Sequence, residues 1–567
     1  MIAFSQNPVV AEQQMTAIIT YLITFGYIDG QFDVREKVFI HEYIHTLVRM
    51  RVEHMGIDDD AARAMIAERQ TRYFERVFER VHLEIRHNLD EVVAAGESLE
   101  EFVLAKLRLR CFELFKELDP RSQGTLLQLI DELVAADGRV DPREKRFRDE
   151  LVALLQDSAG PPRAQPRPVE AAAAPRVPPM LVTAPSVQLG SLDNHPLLMM
   201  NEQHFSSDPA RLARQITADH ALIRQALDAW DVQRRAGDGR LDGMRTARDL
   251  GGAPFLDKYV YGMAAPARAT ELIVLGDLHG CYSCLKAALL QSDFFPKAAA
   301  ARRDPAQPDV KLIFLGDYID RGMYSYNGVL RTVLQLFVSM PESVYVLRGN
   351  HEYYVDLGGK IVGGVRPAEA IATFESHMPR QMFEAYMMLF EHMPSMLLCD
   401  RTLFVHAGIP RDRSLEERWR DLTSLNDKDL RFQMMWSDPA NANHVPHELQ
   451  AHNARFPFGR MQFRAFMERI GCDTMVRGHE KIDAGFKVVF DDGDTRLLNL
   501  FSSGGAQNAD LPANASYRSV TPMALTIKVK AGQQAVATPW AIDWSAYNQA
   551  QRNGFYKSQP EIEFRVG

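Results

Sequence analysis

Five short apolar runs in the second half of the chain each lead, within a few residues, into a side chain that binds hard metal ions. LIVL at 272–275 runs into Asp277 and His279, LIFL at 312–315 into GDYIDRG at 316–322, and VYVL at 344–347 into RGNHE. Residues 403–405 end on His406 of HAGIP, and Met475 and Val476 lead through Arg477 and Gly478 to His479. Apolar runs of this length bounded by glycine read as strands buried on both faces, and open α/β sheets carry their sites beyond the carboxyl ends of such strands. Taken singly, each junction is an ordinary turn or a packed histidine. Together they predict an α/β half in which seven ligand-type residues stand at the exits of strands, in an order that one sheet could collect.

The residue types specify the chemistry. A two-metal hydrolase needs hard oxygen and imidazole ligands, a carboxylate that bridges both ions, and a water held between them. Asp277 and His279, two apart at one strand end, suit one ion; Asn350, His406 and His479 suit the other; Asp317 is the natural bridge. Such ions stand about 3.5–4 Å apart and lower the pKa of their bound water toward neutrality. Arg321 offers a planar fork to phosphate oxygens, which lysine would replace poorly. His351, next to Asn350, overhangs the metals as a general acid for the leaving group, with Asp320 accepting from its other ring nitrogen. Arg348 and Glu352 read as supports of these groups rather than reactants.

The motifs GDLHG (276–280), GDYIDRG (316–322), LRGNHE (347–352), HAG (406–408) and RGH (477–479), with WSDP at 436–439, resemble the phosphoprotein phosphatase family of serine/threonine phosphatases, within the metallophosphoesterase superfamily. The similarity spans roughly residues 271–530. It implies a calcineurin-like fold, two packed β-sheets flanked by helices with the site at the loop-rich edge, and the same metal and acid assignments. It also implies a second phosphate-binding arginine, for which Arg455 in NARFPFG is the candidate, joining Arg321 and Asn350 at the phosphate. The tract NLFSSGGAQN (499–508) lacks the tyrosine that typical members place over the metals, so no phenol contact is expected there. HAGIP is similar to the dinucleoside tetraphosphatase branch, whereas LRGNHE and WSDP favour the protein phosphatases.

At 567 residues the chain is too long for one core. A net charge of −9 gives no electrostatic footprint for nucleic acid. Five dispersed cysteines suit a reducing compartment; Cys281 and Cys284, one helical turn apart after GDLHG, read as packing rather than a zinc or redox pair. No signal peptide is expected at the start, and AIITYLITFGYI (17–28) reads as a buried helix too short to span a bilayer, so the expected location is the cytoplasm.

Residues 158–188, with prolines at 161, 162, 166, 168, 175, 178, 179 and 185 among alanines, read as an extended linker. Before it, residues 1–157 have helical periodicity and an internal echo: DGQFDVREKVF (29–39) recurs as DGRVDPREKRF (137–147), identical at seven of eleven positions. Asp33 and Asp141 read as helix caps, with Glu36 and Glu144 three residues on and Pro142 at a first helical position. Asp29 and Asp137 are not needed for capping, and the repeat is similar to tellurite-resistance TerB-like helical domains, for which metal binding is implied. Residues 189–270 read as a helical segment packed on the catalytic sheet or forming a lid, and 271–567 as the catalytic domain with a C-terminal extension.

The sequence therefore favours a cytoplasmic phosphomonoester hydrolase, a serine/threonine protein phosphatase using two divalent ions, manganese first, with iron or zinc as alternatives. A phosphorylated protein is the expected substrate, and a protein partner is expected for the N-terminal domain; nucleic acid and membrane are not. The rival readings are a dinucleoside tetraphosphate hydrolase and a non-catalytic interaction module.

Overall fold

The computed structural model describes residues 8–28, 178–188, 194–357, 360–366, 368–370, 378–451 and 453–557, and between 32 and 158 chiefly 34–53, 59–88, 97–116 and 142–158. The chain divides into two compact units, residues 1–171 with 448–453, and residues 172–447 with 454–567.

The first unit is helical, with helices Pro8–Phe25, Val34–Glu53, Asp60–Asn88, Leu99–Phe115 and Pro142–Ser158. The apolar stretch that the sequence reads as a buried helix is one: Ile18, Ile19, Tyr21, Leu22 and Ile23 are fully buried. Among the described residues no helix is long and apolar enough to cross a membrane. The helices at Val34 and Pro142 start directly after the two expected caps. Asp29, Asp33, Asp137 and Asp141 themselves lie outside the described residues.

The second unit is built on two sheets. The strands that lead to the ligand-type residues are shared between a six-stranded and a seven-stranded sheet, in keeping with the expected two-sheet fold. The first holds, side by side and parallel, Thr270–Leu275, Asp309–Phe314 and Val344–Val346, with Leu275 opposite Phe314 and Phe314 opposite Val346. The second holds Thr402–Val405 parallel to Thr474–Arg477, and that strand parallel to Arg496–Leu500. Parallel pairing puts the carboxyl ends of each set at one edge. A bridge between Asp277 and Phe501 joins the two edges.

Alternation along the strands explains the double-sided burial. Phe404, Val476 and Leu498 share an apolar core with Val274 and Phe314 of the opposite sheet. Leu403, Val405, Met475 and Leu497 point the other way, into a second core with Phe463, Phe466 and Ile470 of helix Arg460–Ile470. The two sheets therefore pack face to face with helices outside them.

Two boundary expectations change. Part of the expected linker belongs to the larger unit: Leu181–Val182 pairs in parallel with Val536–Ala541, and Met180 is buried at 2% exposure in the core. The segment 189–270 contains the expected helix, Pro209–Gly237, but it also supplies strands Phe255–Asp257 and Val260–Met263, which complete the seven-stranded sheet. Runs of three and four residues around a lysine turn carry too little periodicity to be separated from loop.

Candidate active site

The loops leaving the two sheet edges carry an unusual share of strained backbone. Eight non-glycine residues among those described have positive φ, and five of them are His279, Asp317, Asp320, Arg321 and His479. Left-handed backbone at residues other than glycine costs energy and persists only where the surroundings impose it. Glu352 supplies part of that constraint: its carboxylate accepts from the N–H groups of Asp317 and Tyr318, each at 2.8 Å, and of Gly349 at 3.0 Å. Arg348 holds the same turn through Nε to the Glu352 carbonyl at 3.0 Å. Two glycines allow close approach to carboxylates: a Cβ at Gly349 would stand 2.1 Å from Asp317 Oδ1, and one at Gly478 2.2 Å from Asp277 Oδ1.

All six expected metal ligands converge. His279, Asp317 and His351 bring ligand atoms within 4.8 Å of one another, and so do Asp317, His406 and His479. His279 Nε2 lies 3.7 Å from Asp277 Oδ2 and 3.5 Å from Asp317 Oδ2. Asn350 Oδ1 lies 2.8 Å from His406 Nε2 and 3.0 Å from His479 Nδ1, and those two ring nitrogens are 3.2 Å apart. Asp317 belongs to both groups.

The donor set fits divalent cations. His279 Nδ1 and His406 Nδ1 face the carbonyls of Ile319 and Leu315 at 2.9 and 3.0 Å, which assigns a proton to each Nδ1 and turns each Nε2 inward. Asp277 Oδ2 and His479 Nε2 are buried without a hydrogen-bond partner among the described residues. Burial and the neighbouring Asp317 push the Asp277 carboxyl up, whereas for Asp317 burial is outweighed by His406, His351 and His279, which hold it below the usual carboxylate range. His279 and His479 are pushed down, by burial first. Buried carboxyl oxygens and imidazole nitrogens converging on one space are the donor types that hard divalent ions match.

His351 is placed differently. Its Nδ1 pairs with Asp320 Oδ2 at 2.7 Å, and Asp320 Oδ1 accepts from the N–H of Ala370 at 2.7 Å. Burial works against protonation of this ring, but Asp317 and Asp320 prevail and push it up to about 9. Arg321 lies alongside, its Nη1 bound to Glu369 Oε1 at 2.7 Å. Arg455 is buried beside His479, with Nε on Asp438 Oδ2 at 2.5 Å. Asp438, of the WSDP tract, also binds Arg477 Nη2 at 3.0 Å.

Two features escape sequence reasoning. A phenol does stand beside the site: the ring of Tyr517 is 5.2 Å from that of His279 and 5.0 Å from that of Phe501, so the expected lack of such a side chain is corrected. It comes from the short helix Ser516–Ser519, beyond the tract 499–508. Glu369 likewise lies in no motif. Cys281 caps the helix Tyr282–Gln291 and Cys284 lies in it; their sulfurs are 2.9 Å apart and both are buried, with Asn508 donating to Cys281. Neither joins a metal-ligating group among the described residues.

Residues 270–483 match the model of the calcineurin-like phosphoesterase family, and the larger unit has the calcineurin-like phosphoesterase fold, preceded by a separate helical unit. The chain is similar to a probable serine/threonine-protein phosphatase of Encephalitozoon cuniculi (strain GB-M1), at 27% identity over 259 residues, 45% of this chain and 51% of that protein. It thus spans about half the length of this curated relative. Among solved structures, a protein serine/threonine phosphatase from Saccharomyces cerevisiae aligns at 16% identity with a TM-score of 0.37, over 57% of this chain and 90% of that one. A cold-active protein-tyrosine phosphatase of a Shewanella species aligns at 15% identity with a TM-score of 0.30, over 49% and 82%.

Proposed function

We propose that the chain is a metal-dependent phosphomonoester hydrolase that acts on phosphoserine or phosphothreonine in proteins. The observation that carries this reading is the pairing of His351 with Asp320 at 2.7 Å beside the shared carboxylate Asp317. A protonatable imidazole poised over a metal-ligand cluster is what leaving-group protonation requires, and a scaffold has no use for it.

Asp277, His279 and Asp317 would hold one divalent ion, and Asp317, Asn350, His406 and His479 the other. The bound ions would supply a nucleophilic water and Lewis-acid stabilisation of phosphoryl charge. Arg321, Arg455 and the Asn350 amide would orient the phosphate. Arg321 does so as a fork of donors aimed at the equatorial oxygens, where charge accumulates. His351 donates its Nε2 proton to the departing alkoxide oxygen while Asp320 stabilises the ring charge through Nδ1.

The five cysteines, all buried and unpaired, support a reducing compartment, and we place the protein in the cytoplasm. Manganese is the ion of choice for the assay.

The test is a substrate panel with manganese-loaded protein. A phosphothreonine peptide and an aryl phosphate should both be turned over, and dinucleoside tetraphosphate far less efficiently. The reverse ranking would make the protein a nucleotide hydrolase, and inactivity on all three an interaction module.

A further inference from the structure

We infer that Glu369 is a positioning residue for the phosphate-binding arginine, holding the Arg321 fork so that its inner edge faces the metal-ligand cluster. The inference rests on the proposed phosphate role of Arg321.

Arg321 sits at a left-handed backbone position, directly after Asp320 in the same conformation. That places its side chain over the site but does not orient a guanidinium on a long flexible stem. Glu369 fixes it: Nη1 of Arg321 donates to Glu369 Oε1 at 2.7 Å. The adjacent residue is anchored to the same machinery, because the Ala370 N–H donates to Asp320 at 2.7 Å. One short segment thus grips both Asp320, the partner of the acid, and Arg321. The Asp320 carboxylate adds its field to that of Glu369 around the guanidinium.

The fork is engaged on one side only. Arg321 Nε is buried and has no hydrogen-bond partner among the described residues, while Nη1 is held by Glu369. A buried N–H left unpaired is costly, so an oxygen acceptor on that edge gains strongly. The guanidinium charge acts on His279 and His351, so the group lies close to the cluster, with Nη1 already taken by Glu369 and Nε open to an acceptor. The Glu369 side chain is 46% exposed, so it holds the fork from the rim and leaves its free edge to a tetrahedral oxyanion. A planar fork preset in this way loses less freedom when phosphate arrives. The expected consequence is tighter phosphate binding, expressed in KM more than in kcat.

The experiment measures two quantities on the manganese-loaded full chain: kinetics on an aryl phosphate, and calorimetric binding of inorganic phosphate. Glu369→Ala should weaken phosphate binding and raise KM by about 5–10-fold, with a smaller fall in kcat, and Glu369→Asp should recover part of the loss. In an Arg321→Ala background, Glu369→Ala should cost nothing further, since the effect runs through the arginine. Tighter phosphate binding in Glu369→Ala would show that the carboxylate obstructs the site, and an undiminished loss in the Arg321→Ala background would show that it acts elsewhere; either overturns the inference. If Glu369→Ala binds phosphate normally while Arg321→Ala does not, this inference alone falls. If Arg321→Ala binds normally, the phosphate role of Arg321 falls and takes this inference with it.

Discussion

Asp317 concentrates the electrostatics of the site. Its carboxylate is 3.5 Å from His279 Nε2, 3.4 Å from His406 Nε2 and 3.8 Å from His351 Nε2. Asp317→Asn removes one negative charge from between two cation positions, so it should release metal from both and abolish turnover while the fold persists. Elemental analysis decides it: two metals per chain with normal turnover would refute the shared-carboxylate assignment. For His351, raised to about 9, the acid role demands the protonated ring, which is present below that pH and lost above it. Turnover of an alkyl phosphate should therefore fall as pH rises through about 9. In His351→Asn that alkaline limb should disappear together with about 10²–10⁴ of kcat, with a smaller loss on aryl phosphates, whose leaving groups need no proton. Equal losses on both substrate types would remove the acid role.

Among elements, the segment at the end of the proline-rich stretch behaves least like its composition. Leu181 and Thr183 donate to the carbonyls of Ala535 and Ala537 at 2.8 and 2.9 Å, and Ser186 to that of Pro539 at 2.9 Å, so the chain zips onto the strand that carries Trp540. Met180→Ala should cost about 2–5 kcal/mol in chemical denaturation of the larger unit, as deletion of a buried methionine side chain does. A plain spacer would show no change. The glycine beside Asp277 tests the loop ends in the same way. Gly478→Ala drives a Cβ to 2.2 Å from Asp277 Oδ1, which should displace a candidate ligand and lower metal content more than it lowers the melting temperature. Unchanged metal content would show that the loop has room to yield.

At the scale of the whole molecule, the chain divides into two compact units, and one of the divisions, between residues 171 and 172, falls in the proline-rich stretch. Proteolysis there should leave turnover of small aryl phosphates unchanged and alter the response to protein substrates, as expected of a tethered docking unit that raises local concentration. A marked rise in small-substrate turnover would instead show inhibition by the helical unit, and loss of metal would show that the two are one structural whole. The sequence by itself determined the strand ends and the ligand types. Buried parallel strands are continuous apolar runs and metal chemistry admits few side chains, so both signals are local and survive reading one residue at a time. Only the tertiary structure decided that the ligand strands divide between two sheets, that residues 178–188 and 255–263 extend those sheets, and that Tyr517 and Glu369 stand beside the site. Sheet membership and contacts between residues distant in sequence are set by packing and by hydrogen bonds to remote strands, and neither leaves a period or a motif in the chain.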